Sequence, residues 1–403
     1  MPTREQIEDL IITYRDGLLK NVMPFWLENG WDREFGGIIS SLDECGKTID
    51  TDKSVWAQGR TAWMLGELLN HPLCSDCADR ELWLEAGQSI LGFIERHCID
   101  ADDGRMWFHV TREGKPIRKR RYSFSESFAA IAFGEFARAT GNSHYQEMAE
   151  RLFRNFIEHS QNVQSKFTET RPVKSIGYPM IALVTAQQLR DSIGLDLADD
   201  RIEDSIEEIQ SDFCRPDIEC VMETVDMQGE LLDHFDGRLL NPGHAIEAAW
   251  FVMWEGRSRQ EDSMIELGCS MLDWMWQRGW DQEYGGLLYF VDLHGKPVQE
   301  YWHDMKFWWP QNEAIIANLL AYQLTNDEKY FDRFLLAHDW AHAKFPDPQG
   351  QEWFGYLHRD GRVSTRLKGN MWKSPFHIPR MQLTCWQLLE EAKGEFDSGF
   401  TKS

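Results

Sequence analysis

Six amphipathic segments alternate with six that are apolar on nearly every side, and this alternation limits the possible fold more than any short motif does. The amphipathic segments are 4–22, 80–97, 144–160, 200–212, 262–277 and 327–343. In the first, Ile7, Leu10, Ile11, Tyr14 and Leu18 recur at three- and four-residue intervals, which makes one apolar stripe beneath a charged face. The other six read "VWAQGRTAWMLGELL", "SFSESFAAIAFGEFARA", "GYPMIALVTAQQL", "GHAIEAAWFVMW", "PQNEAIIANLLAYQL" and "FHIPRMQLTCWQLL". A helix without a polar face must be surrounded by protein. Strict alternation of outer and inner helices, at roughly 67 residues per pair, predicts an all-α (α/α)6 barrel in which residues 1–403 form one catalytic domain.

The long connections carry a second repeat. "GWDREFGGIISSLDECGKTID" from Gly30 and "GWDQEYGGLLYFVDLHGKPVQ" from Gly279 nearly duplicate each other. Each has a Gly-Gly pair, a short alternating strand, a turn ending in Gly-Lys and a second strand, the pattern of a β-hairpin. Looser copies start at Asp102, Asp226 and Asp347, whereas 161–176 has no clear hairpin. The hairpins are expected to cover one end of the barrel.

Charge and cysteine usage mainly exclude. With 42 basic against 66 acidic residues the net charge is -24, which repels phosphate backbones and argues against a nucleic-acid partner. The start "MPTREQIEDL" has charges where a signal peptide needs an apolar core, and no apolar stretch approaches membrane-spanning length. A cytoplasmic protein with no membrane partner is therefore expected. Cys74 and Cys77 lack a second C-x-x-C and read as reduced thiols in a turn. His338 and His342 in "HDWAH" have metal-ligand spacing, but without the extra acid of a zincin motif they read as a packed or solvated outer face, and no metal site is assigned. No P-loop or G-x-G-x-x-G occurs, so no nucleotide cofactor is required.

In such a ring every inner helix enters from the same end, so residues before and within its first turn converge on one mouth. They are Trp56, Gln58 and Arg60, then Tyr122, Ser125 and Glu126, then Tyr178 and Met180. The last three helices add Asn241, His244 and Glu247, then Lys306, Trp309, Gln311 and Glu313, and finally His377 and Arg380. Ionisable groups in otherwise apolar helices are costly to bury, and they need partners or a task. A histidine, with a pKa of about 6.5, can take or give a proton at neutral pH. Two of them on opposite sides of one carbon suit proton removal and return beside a carbonyl, with an arginine for the developing oxyanion. Glycoside hydrolysis is the rival chemistry, since Glu247 and Glu313 are a candidate carboxylate pair. The aromatic residues Trp56, Trp308 and Trp309 suit either a core or a sugar platform.

"VWAQGR", "NPGHAIEAAW", "MKFWWPQNEA", "GWDQEYGGLLYF", "EWFGYLHRDG" and "FHIPR" together resemble the N-acylglucosamine 2-epimerase, or renin-binding protein, family over residues 30–391. The resemblance implies an isomerase that interconverts N-acyl-D-glucosamine and N-acyl-D-mannosamine through C2 of the open-chain sugar. Carried over, it assigns acid/base roles to His377 and His244, with Glu247 beside the latter, Arg60 on the substrate oxygen, and Glu313 and Arg380 completing the cluster. Arg380, Trp309, Trp56, Tyr122, Asn241, Lys306, Gln311 and Tyr178 are expected to bind substrate. A homodimer is implied, and also ATP activation as in animal and cyanobacterial members, from which this chain departs at Tyr178. The alternatives are an aldose-ketose isomerase of the mannose/fructose type, another sugar 2-epimerase, or a non-catalytic protein-binding module.

Overall fold

The computed structural model describes residues 2–120, 122–161 and 170–399. In chain order the helices are α1 (Arg4–Asp16), α2 (Met23–Asn29), α3 (Val55–Asn70), α4 (Arg80–Phe93), α5 (Phe124–Thr140), α6 (Ser143–Gln161) and α7 (Gly177–Ile193). They continue with α8 (Ala198–Glu208), the single turn α9 (Phe235–Arg238), α10 (Pro242–Arg259), α11 (Asp262–Gly279), α12 (Trp308–Thr325), α13 (Glu328–Lys344) and α14 (His377–Gly399). The apolar segments form the inner ring α3, α5, α7, α10, α12 and α14, as the alternation predicts. Each inner helix packs against the outer helix that follows it, and α14 packs against α1, so the two ends of the chain close an (α/α)6 barrel.

Local chemistry fixes where these helices stop and start. Gly141, Gly194, Gln260 and Asn326 cap α5, α7, α10 and α12 in the left-handed region, with φ of 68°, 65°, 57° and 54°. Such caps satisfy the last carbonyls and turn the chain back into the outer helix. At the opposite end the side chains of Ser54 and Asn241 cap α3 and α10. Pro375 disfavours helix before it and Pro379 is tolerated only in a first turn, so α14 begins at His377.

The connections depart from the hairpin expectation in an informative way. Ser41–Leu42 pairs with Thr48–Asp50, and His109–Val110 with Pro116–Arg118, each within its own segment. The copies at Asp226 and Gly279 make their turns but pair elsewhere. Thr224–Asp226 joins Val173–Ser175, and Val291–Asp292 joins Leu239–Leu240. Tyr356–Leu357 pairs with Lys306–Phe307 and also bridges to Val363. Strands from different repeats thus lace the connections together over the mouth. Of the segment 161–176, residues 162–169 lie outside the described residues.

The connections also carry a duplicated ion triad, whose lysine and carboxylate are buried and whose arginine is partly exposed. Lys53 Nζ donates to Asp32 Oδ2 (2.9 Å) and to the Gly36 carbonyl (2.7 Å), while Arg112 grips the same carboxylate with two bonds. Lys306 Nζ repeats this with Asp281 Oδ2 (3.0 Å) and the Gly286 carbonyl (2.9 Å), and Arg359 takes the place of Arg112. Burial would raise the Asp32 carboxyl, but Arg112 and Lys53 hold it down to about 2. The Gly-Gly pairs that drew attention in the sequence are needed here, because Gly36, Gly37, Gly285 and Gly286 all have φ between 72° and 79°.

The "HDWAH" histidines are packed rather than solvated. Tyr14 Oη lies 2.7 Å from His338 Nδ1, and the His338 and His342 rings stack with centroids 4.0 Å apart. All eight cysteines are free thiols. No described helix is long and apolar enough to cross a membrane.

Candidate active site

The inner helices line a cavity of about 500 Å³ that opens under the laced connections. Helical periodicity sets its wall: Trp56, Arg60 and Trp63 from α3 face it, as do Phe124, Phe128 and Ile131 from α5, and His244, Glu247 and Phe251 from α10. Trp308 and Trp309 come from α12, and His377 and Arg380 from the first turn of α14. The two imidazoles flank Trp309, whose ring centroid lies 5.1 Å from that of His244 and 5.8 Å from that of His377.

The surroundings shift the two histidines in opposite directions. His377 Nδ1 lies 2.8 Å from Glu313 Oε1, and a carboxylate only accepts, so Nδ1 carries the proton and Nε2 is left as a base. Burial, and then the charge of Arg380, push His377 well below the usual histidine range. His244 Nδ1 lies 3.0 Å from Glu223 Oε2. Burial would lower its pKa, but the Glu223 carboxylate outweighs burial and holds it above the ordinary value. The surroundings thus bias the pair, His377 toward the neutral form and His244 toward the protonated one. Two titratable groups driven apart by their surroundings are what an acid/base pair requires.

The charged layer beneath them is shared unevenly. Arg380 Nη2 sits 2.5 Å from Glu247 Oε1 and 2.6 Å from Glu313 Oε1. Glu313 lies behind the wall and also accepts from Trp250 Nε1 at 2.8 Å. Glu247, Glu313 and His377 bring donor atoms within 4.8 Å of one another, but Arg380 already supplies the positive charge between the two carboxylates. The same clamp disfavours glycoside hydrolysis, which needs carboxyls about 5–9.5 Å apart with one of them protonated. Arg60 forms no ion pair among the described residues and lies 4.2 Å over the Phe128 ring. Burial lowers its pKa to about 9, so it remains a cation at neutral pH. Arg60 Nε, Arg380 Nε, Trp56 Nε1 and Trp308 Nε1 are buried without a partner among the described residues. All four are donors on lining residues, so the cavity is prepared for oxygen acceptors.

Of the residues expected at the mouth, the structure brings His377, His244, Arg60, Glu247, Arg380, Trp309 and Trp56 to the cavity wall, with Met180 beside them. Others do different work. Lys306 is wholly buried in the Asp281 triad, and Gln311 exchanges two hydrogen bonds with the backbone of Leu287, so neither lines the cavity. Gln58 and Glu126 accept backbone N–H groups of Ile38 and Met106 in the same manner. Asn241 caps α10 and stands 3.2 Å from His244 Nδ1, so it acts on the histidine and does not line the cavity. Tyr122 and Tyr178 pack on Phe124 behind the wall. Glu223 escaped the sequence reading because it lies on a connection, outside any inner helix, and its flanking apolar residues Val221, Met222 and Val225 were its one visible sign. Tyr289, Trp302, Tyr356 and Trp372 reach the cavity itself from connections.

A family model described as N-acylglucosamine 2-epimerase matches residues 36–378. The N-acylglucosamine 2-epimerase of Bos taurus is 33% identical over 390 residues, covering 92% of this chain and 89% of the bovine protein. Among solved structures, the cellobiose 2-epimerase from Spirochaeta thermophila DSM 6192 aligns with a TM-score of 0.81 at 19% identity, over 97% of this chain and 100% of that one. A D-mannose isomerase aligns with a TM-score of 0.77 at 16% identity, over 96% and 98% of the two chains. At those identities the solved structures speak for the barrel, whereas the sequence matches run through both histidines and nearly the full length. By its motifs, its barrel and these matches, the chain belongs to the N-acylglucosamine 2-epimerase family.

Proposed function

We propose that this protein interconverts N-acyl-D-glucosamine and N-acyl-D-mannosamine by moving a proton at C2 of the open-chain sugar. The observation that carries the reading is the pair of imidazoles beside Trp309, each with Nδ1 against its own carboxylate, and with surroundings that bias His377 toward the neutral form and His244 toward the protonated one. In one direction His377 Nε2 takes the C2 proton and the electron pair moves into the C1 carbonyl, leaving an enolate oxygen. Arg60, whose Nε has no partner among the described residues, is the donor suited to that oxygen. His244 then returns a proton to the opposite face of C2, and the carbonyl re-forms. The pair ends with its proton on His377, ready for the reverse reaction.

The test is incubation with N-acetylglucosamine, N-acetylmannosamine, glucose and mannose in deuterated buffer, followed by NMR. Expected is N-acetylmannosamine from N-acetylglucosamine with deuterium at C2, abolished in His377→Ala. A ketose as the main product would favour an aldose-ketose isomerase instead, and a fully active His377→Ala would remove the mechanism. The same preparations, with and without ATP and in sedimentation velocity, test the nucleotide activation and the homodimer that the resemblance implies.

A further inference from the structure

The cavity is lopsided, and its asymmetry points to what the sugar carries at C2. Ionisable side chains line it from α3, α10 and α14, whereas every lining residue of α5 and α7 is uncharged. On α7 the lining positions Gly177, Met180, Ile181, Val184, Thr185 and Gln188 follow one helical face for three turns, deeper than any other helix is lined. Counted from the helix starts, this arm runs further along the barrel than the positions of His244, Glu247, His377 and Arg380. Its floor is closed by Trp63 Nε1 donating to Gln188 Oε1 at 2.9 Å, with Ile131 and Phe251 beside them. The hydroxyls on the way are already committed, since Ser127 and Thr185 pair at 2.7 Å and Thr185 donates to the Ile181 carbonyl.

An arm of this kind does not suit the hydroxyls of the C3–C6 chain, which would lose water there and find few partners. It does suit an alkyl group. With C2 held at the histidines and C1 at Arg60, the substituent free to enter the arm is the acyl group on nitrogen. Helical rise places Phe251 about 10 Å below His244. An acetamide spans about 3.8 Å, the same as two Cα atoms across a trans peptide. After van der Waals contact with the floor, space for about two further methylenes remains.

We propose that the α5–α7 arm is an acyl-chain pocket, and that this protein acts on hexosamines whose N-acyl chains are longer than acetyl, with Val184 on its wall one turn short of Gln188. The proposal rests on the 2-epimerase reading above. It is tested by measuring kcat/KM for N-acetyl-, N-propanoyl- and N-butanoyl-D-mannosamine with the wild type, Val184→Phe and Val184→Ala. The readout is the ratio of N-butanoyl to N-acetyl turnover within each protein, which cancels any general loss of activity. In the wild type the ratio is expected to lie within about tenfold of unity. A methylene-sized misfit in an apolar pocket changes turnover by about 10–200-fold. Val184→Phe should therefore lower the ratio by at least about tenfold, and Val184→Ala should raise it. If Val184→Phe fails to fold, the Val184→Ala arm decides. A wild type that turns over the N-acetyl but not the N-butanoyl sugar, or a ratio indifferent to both substitutions, overturns the acyl pocket and leaves the epimerase reading standing. Absence of C2 exchange with every N-acylhexosamine overturns both.

Discussion

The Nδ1 of His377 lies 2.8 Å from Oε1 of Glu313, a carboxylate that also accepts from Trp250 Nε1 and from Arg380 Nη2. Three donors converge on two oxygens, so the group must be an acceptor throughout. In Glu313→Gln one oxygen becomes an NH2, which must face one of those donors. Oε1 serves both His377 and Arg380 while Oε2 serves Trp250. An amide nitrogen in the Oε1 place turns an N–H toward His377, moves the imidazole proton to Nε2 and removes the base. One in the Oε2 place leaves Nδ1 only a neutral acceptor, without the charge that supports the imidazolium. We expect kcat to fall by about 10²–10⁴-fold, the usual contribution of a positioned acid/base, with little change in KM. Steady-state kinetics of Glu313→Gln on both epimers checks this, and an unchanged kcat would count against the tautomer assignment.

The opposite shifts of the two histidines predict a bell-shaped pH profile. Turnover needs one proton shared by the two imidazoles, so kcat/KM is lost at low pH when His377 binds a second proton. It is lost at high pH when His244 releases its own. His377 lies well below 6.5 and His244 above it, so the two limbs fall on opposite sides of that value. Because both epimers draw on the same singly protonated pair, both directions should share the same limbs. In Glu223→Gln the supporting charge is gone while burial remains, and the alkaline limb should move down by roughly one pH unit, about 1.4 kcal/mol of differential stabilisation. The acid limb should stay in place.

Arg60 and Arg380 should separate activity from stability. Arg60 has no ion pair among the described residues and leans on aromatic faces, so Arg60→Met should leave the folded state nearly as stable while kcat falls by about 10²–10³-fold through loss of an oxyanion donor. Arg380 holds two buried carboxylates together. Arg380→Met strands both, and removing one partner of a buried ion pair costs about 3–5 kcal/mol. Urea unfolding beside activity assays distinguishes the two, and equal stability losses would contradict the contrast.

The barrel was legible because helix type is written in local periodicity: Ile7 to Leu18 report a stripe whatever else the chain does. His377 and His244 were legible for a related reason, since Pro375 and Pro379 at one site and an Asn241 cap at the other mark helix starts on the sequence itself. What periodicity cannot report is which connection crosses to which neighbour. Glu223 reaches His244, and Trp372 reaches the cavity, from connections whose partners lie in other repeats. The same blindness misplaced Lys306 and Gln311, whose positions near the start of an inner helix are shared by residues that face the cavity and by residues that hold the connection down.

Lys306 provides a direct comparison, because the fold contains its twin. Lys53 makes the same bonds to Asp32 and Gly36 that Lys306 makes to Asp281 and Gly286. Each lysine stands three residues ahead of a cavity-lining tryptophan, Lys306 ahead of Trp309 and Lys53 ahead of Trp56, so sequence position alone does not separate a substrate contact from a triad member. Burial pushes the Lys306 amine down to about 8, against the pull of Asp281. If both lysines serve only the triads, Lys53→Met and Lys306→Met should each lower stability by about 3–5 kcal/mol, the cost of leaving a buried carboxylate and its arginine without the third charge. Assayed well below their midpoints, both should keep KM for the sugar within about twofold of wild type. A rise in KM confined to Lys306→Met, with Lys53→Met unchanged, would instead return Lys306 to the substrate.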